Sequence, residues 1–290
     1  MPTPTRRSVL GLLAATPVAG LATALATEAP AAAGPARRPD GDVVVRDLTV
    51  PVRGLPAVPA YLVRPARPVP RHRAPAVLFL HWFDPRATNG DRTEFVAEAV
   101  RLAARGVVSL LPQQGFPWTG DPVGDARDVA AIEAELTRLR HALDALLARP
   151  EVDGRRVAVV GHDYGAMYGA LLAAGDRRVS ALAALAPDAA WESWFLAYWL
   201  GYEGPAAEAY ARLFAAVQPV DAMGAVATER PVLLQFADDD QYVDAAVRAR
   251  FAAAAPAARL EVYRRAGHHL DLAALADRTA WLDRVLRLPG

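Results

Sequence analysis

Hydrophobic residues along most of the chain form short apolar segments that are separated by longer stretches with helical spacing. The segments that predict strands lie at 43–50, 60–63, 76–80, 107–111, 157–160, 179–185, 232–236 and 260–263. The stretches that predict helices lie at 92–105, 124–148, 164–174, 245–254 and 272–288. Strands that alternate with helices predict an α/β fold built on a mostly parallel, doubly wound sheet.

Residues 188–228 interrupt this alternation between two predicted strands. The aromatic residues of the segment are Trp191, Trp194, Phe195, Tyr198, Trp199, Tyr202, Tyr210 and Phe214. An insertion at this point lies over the carboxyl ends of the strands. Two compatible interpretations follow: the aromatics pack a helical hairpin, or they form a lid over an apolar pocket.

The first 33 residues differ from the rest of the chain. Arg6 and Arg7 precede an apolar run at 9–26, which is followed by small residues. This pattern predicts an export signal that is similar to a twin-arginine signal, and therefore a secreted or cell-envelope protein without stable membrane association after signal removal. The alternative is a membrane anchor, although the run is short and rich in Ala and Thr. We expect a flexible lead-in at 34–42 and a single domain at 43–290.

Composition narrows the possible functions. The 290 residues carry no net charge and no cysteine, and 53% of them are hydrophobic. Neutrality gives no reason to expect a nucleic-acid partner, and the absence of cysteine excludes disulfides, thiolate metal sites and a cysteine nucleophile. No phosphate-binding loop, dinucleotide fingerprint or metal-ligand spacing is present. We therefore expect no cofactor and no metal, and a small, neutral, apolar molecule as the partner; the oligomeric state stays open.

A strand-to-helix turn carries the strongest chemical signal. The five residues from Gly161 to Gly165 follow a predicted buried strand and open a predicted helix. They read Gly-His-Asp-Tyr-Gly, which is the G-x-nucleophile-x-G pattern of a nucleophile elbow. The pattern places Asp163 at the exposed tip of the turn.

Two later strands end in polar residues. The residues that follow the strands at 232–236 and 260–263 are Asp238, Asp239, Asp240, His268 and His269. Sites in such sheets form where parallel strands end. An acid and a histidine are therefore expected beside Asp163, in the chain order nucleophile, acid, histidine.

From about 43 to 288, the chain resembles the α/β-hydrolase superfamily, and within it the dienelactone-hydrolase-like members. The resemblance implies a triad of Asp163, Asp240 and His268. In the family, the acid stands three residues before a valine, as Asp240 stands before Val243, and the histidine directly follows a glycine, as His268 follows Gly267. Asp188 is a second location for the acid in some relatives. The implied oxyanion donors are the backbone N–H groups of Tyr164 and of Phe83 or Trp82.

Asp163 departs from the serine or cysteine that is usual in esterases and dienelactone hydrolases. The elbow is similar to those of epoxide hydrolases and haloalkane or haloacetate dehalogenases, in which a carboxylate is the nucleophile. A carboxylate displaces a leaving group at sp³ carbon and forms an alkyl ester, which water activated by His268 then hydrolyses. This chemistry is the leading prediction. The candidate groups for assisting epoxide or halide departure are Tyr198, Tyr202, Tyr210, Trp191, Trp194 and Trp199.

Two other functions remain open. Asp163 is a general base for water in a dienelactone-hydrolase-like ester or lactone hydrolase, or it is a silent replacement in a hydrolase-like binding protein. His81 and His162 are expected to support or pack the site rather than to bind a ligand.

Overall fold

The computed structural model describes residues 42–67, 73–84 and 87–288. The predicted export signal at 1–33, and the lead-in at 34–42 apart from its last residue, lie outside the described residues. Within the described ranges, no helix combines the length and the apolar character that a membrane span requires.

The described residues form one sheet of eight strands. They are β1 (Val43–Val50), β2 (Val58–Pro65), β3 (Ala74–Leu80), β4 (Val108–Pro112), β5 (Val152–His162), β6 (Ala181–Leu185), β7 (Val232–Ala237) and β8 (Arg259–Tyr263). Their order is β1-β2-β4-β3-β5-β6-β7-β8. The pairs β1–β2 and β2–β4 are antiparallel, and all other neighbours are parallel. The predicted mostly parallel sheet is confirmed.

In the described part of the chain, eight α-helices connect the strands or follow the last of them. They are α1 (Val96–Ala103), α2 (Ala126–Leu147), α3 (Tyr164–Gly175), α4 (Trp191–Phe195), α5 (Gly204–Leu213), α6 (Pro219–Glu229), α7 (Ala245–Ala254) and α8 (Leu272–Leu286). The helix predicted at 92–105 is shorter in the structure, because Thr93 donates its N–H and its hydroxyl to Asp91 Oδ1 and so forms a turn before α1.

Helices cover both faces of the sheet. Along β3, Leu78 and Leu80 pack into an apolar cluster with α2, α3 and α6, whereas Val77 and Phe79 pack into a second cluster with α1 and α8. Every residue of β3 is buried. This two-sided burial explains why the central strands read as continuous apolar runs instead of alternating ones.

The predicted insertion lies between β6 and β7 and consists of α4, a π-helical turn at Leu196–Leu200, α5 and α6. Trp191, Phe195 and Phe214 are fully buried in the larger apolar cluster. These aromatics therefore pack as part of the core, and a lid role stays a prediction for the rest of the segment.

Candidate active site

The nucleophile elbow owes its shape to two glycines. A Cβ atom at Gly161 would collide with the carbonyl oxygen of Gly165, and a Cβ atom at Gly165 would collide with that of Leu80. Between them, Asp163 adopts φ 57° and ψ −125°, which is a strained conformation for a residue with a side chain. Such strain costs about 1–3 kcal/mol and is typical of functional sites.

The structure brings Asp163, His268 and Asp240 together. His268 Nε2 lies 3.4 Å from Asp163 Oδ2, and His268 Nδ1 lies 2.9 Å from Asp240 Oδ2. The backbone N–H groups of Tyr242 and Val243 donate to Asp240 Oδ1 over 2.8 and 3.1 Å, which fixes that carboxylate. The three side chains therefore have the mutual arrangement of a nucleophile–histidine–acid triad.

The competing acids face other partners. Asp238 Oδ1 accepts the backbone N–H of Arg265. Asp188 lies just before α4, where it accepts the Ala190 N–H and the Ser193 hydroxyl, and burial raises the pKa of Asp188 to about 6. Only Asp240 therefore has the geometry that the triad requires among these three carboxylates.

The charges of the triad follow from its geometry. Burial alone would lower the pKa of His268, but hydrogen bonds and charges from Asp163 and Asp240 raise it to about 9. Burial would raise the pKa of Asp240, but its hydrogen bond and charge interaction with His268 hold it below the ordinary value. Burial raises the pKa of Asp163 against the opposing effect of His268. At neutral pH, the raised pKa of His268 favours its protonated ring, which faces the carboxyl groups of Asp163 and Asp240.

The candidate oxyanion donors differ in availability. The Tyr164 N–H donates to Asp163 Oδ1, whereas the Trp82 N–H donates to Glu94 Oε2 over 2.7 Å. The Phe83 N–H has no acceptor among the described residues. Phe83 is therefore the remaining candidate for the second oxyanion donor. The Trp82 N–H, which was the alternative, already has an acceptor and is not available.

Of the tyrosines predicted to assist a leaving group, Tyr198 packs against Tyr242, whose ring contacts that of His268. The Tyr210 hydroxyl donates to Asp128 Oδ2 over 2.6 Å, and Tyr202 is 38% exposed on the outside of the insertion. Burial raises the pKa of Tyr198 to about 12, and the carboxylates of Asp163 and Asp240 contribute to the rise. Tyr198 is therefore the tyrosine hydroxyl that this site offers.

The three tryptophans do not offer free N–H groups for a halide. Trp191 Nε1 donates to the Val217 carbonyl over 2.8 Å. Trp194 Nε1 donates to the Tyr242 carbonyl over 3.3 Å. Trp199 Nε1 donates to Asp121 Oδ1 over 2.9 Å. The expectation that these groups bind a departing halide is corrected, because each already has an acceptor within the protein.

Buried polar residues outside the triad support the active-site backbone and the loop after β3. His162 Nδ1 lies 2.7 Å from Glu94 Oε1, and His162 Nε2 lies 3.1 Å from the backbone oxygen of His268. His81 lies beneath the same loop, where its Nδ1 lies 3.0 Å from the Trp82 carbonyl and its Nε2 accepts the Gln114 N–H. Sequence reasoning missed Glu94, since no spacing marks a glutamate in a polar turn as buried. No group of three or more metal-ligating side chains occurs among the described residues.

Comparison with known proteins places this site in a family. The model of the prolyl oligopeptidase family matches residues 95–288, which is more than half of the chain and includes all three triad residues. The chain belongs to the prolyl oligopeptidase family. Its fold is the α/β-hydrolase fold, which its structural neighbours share. No curated protein sequence matches it.

Three solved structures illustrate the fold of this prolyl oligopeptidase family member. A protein described as a dienelactone hydrolase from Klebsiella pneumoniae subsp. pneumoniae is 18% identical with a TM-score of 0.60, and the match covers 84% of this chain and 98% of that one. An acetyl xylan esterase from Paenibacillus sp. R4 is 13% identical with a TM-score of 0.68, covering 85% of each chain. A prolyl endopeptidase is 18% identical with a TM-score of 0.64, covering 86% of this chain but 39% of its own.

Proposed function

We propose that the protein hydrolyses carboxylic esters or lactones, with Asp163 as general base and His268 as general acid. The family match and the fold shared with a dienelactone hydrolase and an acetyl xylan esterase support acyl hydrolysis over epoxide or halide chemistry. The neutral composition and the aromatic surroundings of the site favour an uncharged substrate.

One observation carries this proposal: the 3.4 Å contact between Asp163 Oδ2 and a His268 that is protonated at neutral pH. This contact places a base directly beside an acid. Asp163 takes a proton from the water whose oxygen attacks the carbonyl carbon, and His268 gives a proton to the departing alkoxide as its bond to that carbon breaks. The proton on Asp163 then returns to His268 across the same contact, which restores the starting state.

Stabilisation of the tetrahedral intermediate falls to the backbone of the β3–α1 loop. The Phe83 N–H is the donor for the developing oxyanion, because the Tyr164 N–H is shared with Asp163 Oδ1. Each such donor is worth about 3 kcal/mol of barrier lowering.

A second candidate is nucleophilic attack by Asp163 at sp³ carbon, and a separate contact favours it. Asp163 Oδ1 accepts the Tyr164 N–H while Oδ2 faces His268. If Oδ2 opened an epoxide, Tyr198 would protonate the released alkoxide. Asp163 would become a neutral ester, and its Oδ1 would already lie in the oxyanion hole. His268 would then lose the proton that the Asp163 charge holds, and this proton would replace the one that Tyr198 gave up. The neutral His268 would take a proton from the water that attacks the Asp163 carboxyl carbon, and it would pass that proton to the product alkoxide as the acyl C–O bond breaks. The released Asp163 carboxyl would return its proton to His268.

A single turnover in ¹⁸O-labelled water separates the candidates. We expect ester and lactone panels to give labelled acid product with no label in the peptide that contains Asp163. Labelled Asp163 together with unlabelled product oxygen from an epoxide or alkyl halide would establish the alkyl-enzyme instead. Absence of turnover and of trapped adduct on all panels contradicts both, and supports the hydrolase-like binding protein.

We also propose that residues 1–33 export the protein. The paired arginines ahead of an apolar run support this location. A reporter fused after residue 42 should reach the cell envelope or medium, and Arg6→Lys with Arg7→Lys should retain it in the cytoplasm. Export unaffected by this double substitution would argue against the twin-arginine route.

A further inference from the structure

The buried Glu94–His162 contact joins two parts of the site that are distant in sequence. Glu94 lies in the turn before α1, and its side chain is 11% exposed. His162 is the last residue of β5, directly before Asp163, and its side chain is 2% exposed. The 2.7 Å separation between Glu94 Oε1 and His162 Nδ1 requires a hydrogen bond.

Each of these two residues also uses its second polar side-chain atom to contact a backbone group of the active site. His162 Nε2 lies 3.1 Å from the carbonyl oxygen of His268, and Glu94 Oε2 accepts the N–H of Trp82 over 2.7 Å. One continuous chain of hydrogen bonds therefore links the backbone of the catalytic histidine to the loop that presents the Phe83 N–H.

Donor and acceptor requirements fix where the protons lie. His162 Nε2 faces a carbonyl oxygen, so it must carry a hydrogen. In a neutral imidazole, Nδ1 is then the acceptor, and Glu94 Oε1 must supply the hydrogen. Glu94 Oε2 faces an N–H and acts as an acceptor, as the second oxygen of a protonated carboxyl does.

We propose that Glu94 and His162 are positioning residues, with Glu94 protonated and His162 in its Nε2–H tautomer, that together hold the His268 backbone and the Trp82–Phe83 loop in register. The kinetic consequence of this proposal rests on the proposed function, whereas the proton positions do not.

The surroundings disfavour the charged form of the pair. Burial raises the pKa of Glu94 to about 8, against the effects of the Trp82 N–H and the charge of Arg278. Burial lowers the pKa of His162 to about 3, and the charge of His268 acts in the same direction.

The other charged groups around the pair partly cancel. Arg278 is held by two hydrogen bonds to Glu98, and the effect of Arg278 on Glu94 is opposed by that of Glu98. His269 also interacts with Glu94, and Asp163 with His162. A neutral Glu94 that donates one hydrogen bond to a neutral His162 places no charge in the buried site and satisfies every hydrogen bond described above.

Loss of the Glu94 proton changes the tautomer of its partner. The ionised Glu94 would draw the ring hydrogen of His162 to Nδ1, which leaves Nε2 without a hydrogen opposite the His268 carbonyl. The bond that holds the His268 backbone would then be lost. Glu94→Gln cannot ionise, and its amide can donate to Nδ1 and accept from the Trp82 N–H, so it imitates the protonated acid at every pH.

Nitrogen-15 NMR of the histidine rings tests the proton positions without any substrate. His162→Gln identifies the His162 signals. We expect a neutral Nε2–H tautomer at pH 7, loss of that tautomer in the wild type above pH 8, and retention of it in Glu94→Gln. An Nδ1–H tautomer or an imidazolium at pH 7 would overturn the proposal, and so would identical behaviour of wild type and Glu94→Gln above pH 8.

Kinetics on an ester substrate test the positioning role. Because a displacement of about 1 Å can cost on the order of 100-fold in rate, we expect Glu94→Leu to lower kcat about 100-fold with a smaller change in KM. Glu94→Gln should recover most of that loss at pH 7. A folded Glu94→Leu with wild-type kcat, or a Glu94→Gln as impaired as Glu94→Leu, would refute the positioning role.

Glu135→Leu is the matched control, since it removes a buried glutamate that pairs with Arg138 on α2 and contacts no triad residue. Circular dichroism and thermal unfolding identify any variant that fails to fold. If Glu94→Leu is unfolded, the comparison of wild type with Glu94→Gln above pH 8 decides. If no substrate is found, the NMR result still confirms or overturns the proton positions. Failure of the proposed function can therefore be distinguished from failure of the inference about Glu94 and His162.

Discussion

Asp163→Asn tests whether the elbow carboxylate holds the proton of His268. The substitution keeps the shape of the side chain and an oxygen for the Tyr164 N–H, but it removes the negative charge 3.4 Å from His268 Nε2. At that distance and an effective dielectric constant of about 20, the attraction between unit charges is about 5 kcal/mol. Since one pKa unit corresponds to about 1.4 kcal/mol, we expect the pKa of His268 to fall by about 3.5.

The measurement is an NMR titration of the His268 ring in the wild type and in Asp163→Asn. The wild-type ring should titrate near the pKa of about 9 that its two carboxylates confer, and the variant ring should titrate at about 6 or below. Asp240→Asn is the control that removes the other carboxylate. A His268 that titrates within one unit of the wild-type value in Asp163→Asn would refute the ion pair and the acid–base roles built on it.

The same ion pair predicts a pH dependence of stability. Because the pKa of His268 is raised from 6.5 to about 9 in the folded state, its contribution is fully present below pH 6.5 and is lost as the pH rises through 9. The contribution is about 3 kcal/mol. Urea unfolding of the wild type should show this fall between pH 6.5 and 9 and Asp163→Asn should lack it, so the difference in unfolding free energy between the two proteins should shrink by about 3 kcal/mol over that range. Equal slopes for both proteins would count against a charged His268.

Three further predictions follow from single side chains. Tyr164→Phe should raise the free energy of unfolding by about 1 kcal/mol in urea unfolding, because the Tyr164 hydroxyl is buried without a hydrogen-bond partner among the described residues; a loss of that size would show that the hydroxyl has a partner. Tyr198→Phe should lower kcat on epoxides at least 100-fold and leave ester hydrolysis unchanged, because only epoxide opening needs its proton; equal effects on both panels would exclude this role. Glu94→Gln should remove a stability loss of about 5 kcal/mol that the wild type shows in urea unfolding between pH 4.5 and 8, where the raised pKa of Glu94 makes deprotonation costly in the folded state; parallel profiles would mean that Glu94 is ionised in the folded protein.

The parts of the fold that depend on local pattern could be predicted from the sequence. Continuous apolar runs marked the central strands because both faces of the sheet are covered, and the glycines at 161 and 165 marked the elbow because no side chain fits there. The order of Asp163, Asp240 and His268 followed from the carboxyl ends of the strands. The family itself was not predicted: the sequence pointed to dienelactone-hydrolase-like proteins, and the matching model is that of the prolyl oligopeptidase family.

The allocation of hydrogen bonds could not be predicted, because the partners are far apart along the chain. Trp199 donates to an aspartate 78 residues away, Tyr210 to one 82 residues away, and Glu94 lies 68 residues from His162. Apolar periodicity shows which face of an element is buried but not which polar atoms meet inside it. For this reason, the sequence predicted more tyrosines and tryptophans for assisting a leaving group than the structure makes available.

At the nucleophile elbow, the shape of the backbone is independent of which reactive side chain stands at its tip. The backbone path at Gly161 and Gly165 is set by steric contacts with other backbone atoms, and the side chain of residue 163 takes no part in them. A family with such a turn is free to exchange the reacting group at the tip without rebuilding the sheet or the helix behind it. Asp163 is thus one of several reactive residues that the same backbone turn can carry. The neighbouring His268 and Asp240 determine which reactions this residue can perform.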